Sequence, residues 1–182
     1  MSRIPTPPSI EASPAASRPL LEAVQKQLGS VPNLFRIVGN SPPGLEGYLS
    51  LNGALGKGRL DVKTRQRLAI AVASTNGCDY CLSAHTYLGK NVARLEDAEM
   101  VANQDGTSSD AKADAALRFA TKVVRERGHV SADDVQAVKA AGFDDGEVVE
   151  ILLHVALNTL TNYVNTALAT ELDFPKVAAR RG

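Results

Sequence analysis

The stretch RQRLAIAVASTNGCDYCLSAHTYLGK, residues 65–90, indicates more about the fold than any other part of the chain. Apolar residues in its first half recur at helical spacing, and the pattern breaks at Asn76-Gly77, a pair typical of turns. A second helical pattern begins at or near Cys78 and runs to about Gly89. The stretch therefore predicts two consecutive helices with a Cys-x-x-Cys motif at the start of the second.

The same helical spacing continues on both sides of this stretch. Asp61 is placed to cap one helix, and Ser131, with Asp134 three residues later, forms a capping-box pattern for another. No segment alternates with period two for long enough to predict a strand. We therefore predict an all-α fold, a compact helical bundle. Helices are predicted from 20 to 29, from 41 to the glycines at 53–58, from 61 to 76, from 78 to 89, over 94–103 and 110–127, from 131, and over 145–172, with a loop at 31–36.

Residues 1–17 differ from the rest of the chain because they carry four prolines among Ser and Ala. Proline disfavours both helix interiors and central strands. The segment is therefore predicted to be an N-terminal arm, either a flexible tail or an arm that packs on a neighbouring subunit. Residues 18–182 are predicted to form a single helical domain.

Composition excludes several classes of partner. The 20 Lys and Arg residues balance 20 Asp and Glu residues, and aromatics make up only 4% of the chain, which argues against nucleic-acid binding. The basic pair Arg180-Arg181 is too short to change that. No run of roughly 18 apolar residues predicts a membrane span, and the N-terminus lacks the apolar core of an export signal. The predicted location is the cytoplasm, where thiols stay reduced.

The spacing of two cysteines and a histidine points to chemistry. Cys78 and Cys81 are three residues apart and His85 lies four further on, so all three share one face of a helix. The helix start favours a thiolate. His85 can exchange a proton with Cys81 directly or through one water, and the second cysteine can resolve a sulfenic acid as an internal disulfide.

Three interpretations of the pair remain open on spacing alone. The first is a thiol redox centre. The second is a structural zinc site, although no second Cys or Cys-His pair is present to complete the usual four ligands. The third is an inert buried pair. Covalent haem attachment is excluded, because Leu82 rather than a histidine follows Cys81.

The motif Asn-Gly-Cys-x-x-Cys-x-x-x-His, residues 76–85, resembles the alkylhydroperoxidase D-like branch of the carboxymuconolactone decarboxylase superfamily. The stretches VPNLFRIVGNSPPGLEGY (31–48) and ALNTLTNYVNTALATELDFP (156–175) resemble peroxidase-related members of that branch. The resemblance implies an all-helical homo-oligomer, a trimer or hexamer. It also implies a cofactor-free peroxidase that reduces small organic hydroperoxides through a Cys–Cys cycle, with a dithiol or a protein as reductant.

By the same resemblance, Cys81 is the peroxidatic cysteine, Cys78 its disulfide partner and His85 the proton-relay histidine. Gln66 stands where the family pattern has a glutamate. A glutamine can orient a water or a thiol, but it cannot accept a proton as a carboxylate does. Either His85 acts alone, or another acid such as Asp79 substitutes, or turnover is slow.

Polar residues recur along the last, otherwise apolar helix at positions 154, 158, 162 and 165. Buried polar groups need hydrogen-bond partners, so this stripe either ties helices or subunits together or brings His154 and Asn158 to a cavity above Cys81. The predicted function is a thiol-dependent hydroperoxide reductase. The alternatives are a non-catalytic redox-sensing or metal-binding oligomer, and a decarboxylase or disulfide reductase on the same fold.

Overall fold

A computed structural model of the protein describes residues 1–179, so Arg180 and Arg181 lie outside the described residues. The all-α prediction is confirmed, since residues 1–179 contain nine α-helices and no strand. None of these helices combines the length and the apolar character that a membrane crossing requires. The helices are α1 (Arg18–Leu28), α2 (Asn33–Val38), α3 (Pro42–Leu55), α4 (Val62–Thr75), α5 (Asp79–Asn91), α6 (Asp97–Gln104), α7 (Ala111–Arg125), α8 (Ala132–Ala140) and α9 (Asp145–Leu168).

Helix starts follow the caps predicted from sequence. The Asp61 carboxylate accepts a hydrogen bond from the Thr64 N–H at 2.7 Å and begins α4. Ser131 and Asp134 form the predicted capping box at the start of α8. Each such cap satisfies backbone donors that the first turn leaves unpaired and contributes about 1 kcal/mol. Short polar side chains therefore set where several helices begin.

One prediction was wrong at the N-terminal side. Residues 31–36 were expected to form a loop, but Asn33–Val38 is the short helix α2. Six residues are too few to form a stable helix by propensity. Leu34 and Ile37 are buried, and the Leu34 N–H donates to the Tyr80 hydroxyl at 3.1 Å. Tertiary contacts, which no local pattern reveals, therefore stabilise this turn of helix.

Helix α4 lies at the centre of the bundle and packs against α5, α6, α7 and α9. Residues 68–74 are all buried, which is expected of a helix apolar on every side. Leu68 contributes to a core with α7 and α9, and Ile70 to a second core beneath α5. Burying such a side chain contributes roughly 2 kcal/mol. This packing makes α4 the support on which α5 and its cysteines rest.

Both ends of the chain pack onto the helical domain. In the arm, the Arg3 N–H donates to the Leu168 carbonyl at 2.8 Å. At the other end, the Ala179 N–H donates to the Asp79 carboxylate at 2.9 Å. The contacts found for the arm are thus with its own chain, and the C-terminal segment covers the outer side of α5.

Candidate active site

The two cysteines lie where α5 begins. Gly77 adopts a φ of +67°, a conformation that glycine reaches without strain, and turns the chain from α4 into α5. Cys78 is the N-cap residue, and its sulfur accepts a hydrogen bond from the Cys81 N–H at 3.4 Å. The predicted placement of the motif at a helix start is confirmed.

Cys78 and Cys81 are free thiols, each only 2% exposed. The hydrogen bond from the Cys81 side chain, together with backbone N–H groups, lowers the pKa of Cys78 to about 7. The same hydrogen bond and burial raise the pKa of Cys81, against the opposing effect of Asn165 and Asn162. Cys78 therefore ionises first and Cys81 rests as a thiol, although the resemblance gives Cys81 the peroxidatic role.

Helix α9 supplies polar contacts to the Cys81 sulfur. The Asn165 amide Nδ2 donates to the sulfur at 3.2 Å. The Cys81 thiol lies 3.9 Å from Thr161 Oγ1, which can accept its proton in a weak hydrogen bond. An amide donor at this distance stabilises negative charge on sulfur. The polar stripe of α9 is visible in the sequence, but the hydrogen bond from Asn165 to the Cys81 sulfur is not.

His85 and Gln66 are brought together across α4 and α5. The His85 ring Nδ1 lies 3.0 Å from the Gln66 amide oxygen Oε1. Because that oxygen can only accept, Nδ1 carries the hydrogen and Nε2 is left with a lone pair. Burial lowers the pKa of His85 to about 4, so the ring is neutral at neutral pH. Gln66 thus contacts the histidine rather than a sulfur.

A cavity of about 920 Å³ joins these groups. Cys81, His85 and Gln66 line it, whereas Cys78 is not among its lining residues. His154 and Asn158 also line it, as does Thr161. A small molecule in the cavity therefore reaches the Cys81 sulfur and not that of Cys78.

The other two residues of the motif contact neighbouring segments. The Tyr80 ring packs edge-on against Phe174, with ring centroids 5.9 Å apart. The Asp79 carboxylate accepts the Ala179 N–H, so it holds the C-terminal segment. Asn162, further along α9, accepts a hydrogen bond from the Asn76 amide at 2.8 Å and ties α9 to the turn before α5.

Within residues 1–179, no group of three or more His, Cys, Asp or Glu side chains is placed to hold a metal ion.

Comparisons with known proteins agree with the architecture. Residues 42–122 match the carboxymuconolactone decarboxylase family. A 45-residue segment is 47% identical to an uncharacterized protein of Haemophilus influenzae; it makes up 24% of this chain and 40% of that protein's length.

Solved structures resemble nearly the whole chain. An alkylhydroperoxidase AhpD core, a peroxidase-related protein from Ralstonia eutropha JMP134, superimposes with a TM-score of 0.84 at 24% identity, covering 94% of this chain and 92% of its own. A peroxidase-related protein from Silicibacter sp. TM1040 gives 0.81 at 25% identity, covering 93% and 91%. The debrominase Bmp8 gives 0.73 at 17% identity, covering 94% and 91%, a likeness of fold alone.

Proposed function

We propose that this chain, whose residues 42–122 match the carboxymuconolactone decarboxylase family and whose fold resembles that of peroxidase-related proteins, is a thiol-dependent peroxidase. It would reduce organic hydroperoxides through a dithiol–disulfide cycle of Cys78 and Cys81, without a cofactor. The observation that carries the proposal is the free thiol pair at the start of α5, with Cys81 in the cavity wall and Cys78 behind it.

In the first step, Cys81 attacks the outer oxygen of the hydroperoxide. The S–O bond forms as the O–O bond breaks, which yields a sulfenic acid and an alcohol. Because Cys81 rests as a thiol, a base has to take its proton during the attack. His85 Nε2 is such a base, one helical turn away, and it passes the proton to the leaving alkoxide oxygen. Asn165 stabilises the charge that develops on sulfur.

In the second step, the Cys78 thiolate attacks the sulfenic sulfur of Cys81. A disulfide forms and hydroxide leaves, to be protonated to water. In the reduced pair, the Cys81 thiol and backbone N–H groups lower the pKa of Cys78 to about 7. The backbone N–H groups remain after Cys81 is oxidised and still favour the Cys78 thiolate. An external dithiol or a protein thiol pair then reduces the disulfide by exchange and is itself oxidised. The cytoplasm, where thiols stay reduced, is the compartment that suits this cycle.

Gln66 acts as a positioning residue in this scheme. Its amide oxygen holds the His85 ring in the tautomer with Nε2 unprotonated. A carboxylate there would also stabilise an imidazolium, which an amide does less well. We therefore expect His85 to relay a proton without retaining it.

We also propose that the chain forms a homo-oligomer through α9. The face of α9 opposite the cavity is apolar although it is exposed, which is unusual for a surface helix. Its side chains recur at intervals of three, four and seven residues along one stripe, the α9 apolar stripe: Val149, Leu152, Leu153, Leu160 and Tyr163. A second copy of the chain would bury this stripe. The resemblance favours a trimer or hexamer.

The test of the proposed function is steady-state consumption of an organic hydroperoxide with excess dithiol, using metal-free protein. Wild type is expected to turn over, and Cys81→Ser to lose activity because no sulfenic acid can form. In the absence of dithiol, which would reduce the sulfenic acid, Cys78→Ser should still consume about one equivalent of peroxide and stop at the sulfenic acid, which a sulfenic-acid reagent traps. Normal turnover in Cys81→Ser would show the assignment to be wrong. No turnover in wild type would favour a redox sensor instead.

A further inference from the structure

One end of the cavity carries a positive charge that forms no ion pair with a carboxylate of the described residues. Arg65 lines the cavity and is half-buried. Its Nη1 donates to the carbonyl oxygens of Gly56 at 2.6 Å and Leu55 at 3.4 Å, at the C-terminal end of α3. Among residues 1–179 no salt bridge includes Arg65, and neither Nη2 nor Nε donates a hydrogen bond. Two edges of the guanidinium are therefore available to a ligand.

Lys57 adds positive charge near Arg65, and the Glu150 carboxylate, which is not a lining residue, accepts hydrogen bonds from the N–H groups of Arg59 and Leu60. Lys57, next to Gly56, also lines the cavity. His154 lines it too, is only 6% exposed, and its ring Nε2 has no hydrogen-bond partner within the described chain. Burial first, and then the charge of Arg65, lower the pKa of His154 to about 4, against the opposing effect of the Glu150 carboxylate. His154 is therefore neutral at neutral pH and adds no charge to this end of the cavity.

The acidic side chain in the cavity lining is remote from Arg65. Glu46 lines the cavity from the first turns of α3, whereas Arg65 is bound to the last residues of that helix. Leu55 lies nine positions after Glu46, about 13 Å along a helix axis at 1.5 Å per residue. Glu46 is also exposed, so water screens its charge. The cavity is thus polarised, with its positive end at Arg65.

Helix α9 sets the distance from this end to the reactive sulfur. His154 lines the cavity together with Arg65, and Thr161 Oγ1 lies 3.9 Å from the Cys81 sulfur. Thr161 lies seven positions after His154, which corresponds to about 10 Å along α9. Apolar side chains of Val24, Leu49 and Leu157 line the cavity as well. This lining suits an alkyl chain.

We propose that the Arg65 end of the cavity binds a carboxylate, so that the preferred substrate is an aliphatic acid whose hydroperoxide group lies about 10 Å from its carboxylate. Arg65 supplies two N–H groups in the planar arrangement that a carboxylate matches. Lys57 adds a second charge at the mouth. The preference for a hydroperoxy acid rests on the proposed function, whereas the carboxylate site itself does not.

Binding is tested by calorimetry on the reduced full-length protein, with octanoate and its uncharged amide, octanamide, as probes. Wild type is expected to bind octanoate at least about tenfold more tightly than octanamide, because only the anion pairs with Arg65. Arg65→Gln should bring that ratio close to one, and Arg65→Lys should keep part of it. The matched control is Lys63→Gln, which removes an exposed charge from the same helix outside the cavity.

Equal affinity of wild type for octanoate and octanamide would overturn the proposal, and so would an equal loss of selectivity in Lys63→Gln and Arg65→Gln. The wild-type ratio alone decides the matter if Arg65→Gln fails to fold, since Arg65 also holds the end of α3.

A kinetic arm separates the site from the reaction. In wild type, kcat/KM for a hydroperoxy fatty acid is expected to exceed that for its methyl ester about tenfold. Selective octanoate binding without turnover of either hydroperoxide would contradict the peroxidase proposal and support the site. Equal turnover of acid and ester, without selective binding, would contradict the site and leave the peroxidase proposal standing.

Discussion

The Cys81 sulfur receives its amide hydrogen bond from Asn165, a residue 84 positions further along the chain. Its other neighbours in the motif, Cys78 and the backbone of α5, are local. The hydrogen bond with Cys78 raises the pKa of Cys81, and Cys78 is the thiol that ionises first. Residues on α9 therefore lower the pKa of Cys81, whereas the Cys-x-x-Cys motif raises it.

We predict that Asn165→Ala slows the reaction of Cys81 with a hydroperoxide by about tenfold to a hundredfold. Hydrogen bonds to charged groups contribute about 1.5–3 kcal/mol, and this one forms to the developing thiolate. The measurement is the rate of sulfenic-acid formation as a function of pH in a Cys78→Ser background. The pH at half-maximal rate should rise in the variant. Asn91→Ala, at the exposed end of α5, should change neither quantity.

A second prediction concerns the substitution Gln66→Glu, which places a carboxylate beside His85. A carboxylate that accepts the His85 Nδ1–H favours the imidazolium, so the pKa of His85 should rise from about 4 by at least about one unit. Proton NMR titration of the His85 ring measures this directly, and Cys81 should react faster because its base is stronger. An unchanged His85 titration would contradict the contact between the two side chains.

Helix α9 differs from an ordinary surface helix, because its buried side mixes polar with apolar residues and its exposed side carries large apolar ones. Its inward face carries His154, Asn158, Thr161 and Asn165, and its outward face carries the α9 apolar stripe. The inward residues reach the cavity or the Cys81 sulfur. The polar stripe could be seen in the sequence, but its partners could not, because they depend on which helix α9 packs against.

One buried carboxylate joins α6 to α4. Glu99 accepts from the Arg67 Nε at 2.9 Å and from Asn103 at 3.1 Å, and also from Ser108 and Ser109. Burial raises the pKa of Glu99, but the hydrogen bonds from the serines and Asn103 outweigh it and lower it to about 2. The ionised form is therefore the one that stabilises the fold.

We predict that this carboxylate makes stability depend on pH in the acid range. Its folded pKa is below the ordinary 4.5, so its contribution is complete above about pH 5 and is lost as the pH falls towards 2. The size is at most about 3 kcal/mol. Urea unfolding of Glu99→Gln at several pH values should show a loss at pH 7 that shrinks on acidification. Asp97→Asn, which breaks an exposed pair with Lys90, should cost less than about 1 kcal/mol.

In an isolated chain, the α9 apolar stripe is exposed to solvent. Sedimentation is expected to give a mass of several chains for wild type, and a smaller mass for Tyr163→Glu, since a buried carboxylate would oppose association. Tyr163 is 64% exposed, so the substitution should leave the fold of each chain intact. Val101→Glu, an exposed apolar position on α6, is the matched control. A wild-type monomer would contradict the proposed oligomer.

Helical periodicity and short capping motifs predicted the helical class, several helix starts and the position of the cysteine pair at the start of α5, because these depend on contacts within a few turns of chain. The sequence also indicated the Gln66 departure, but not the contact of Gln66 with His85. That contact depends on how the helices pack. So do the hydrogen bond from Asn165 to Cys81, the helix at Asn33–Val38 and the cavity with Arg65 at one end. These features join residues far apart in sequence. Their partners follow only from how the helices pack, which helical periodicity does not specify.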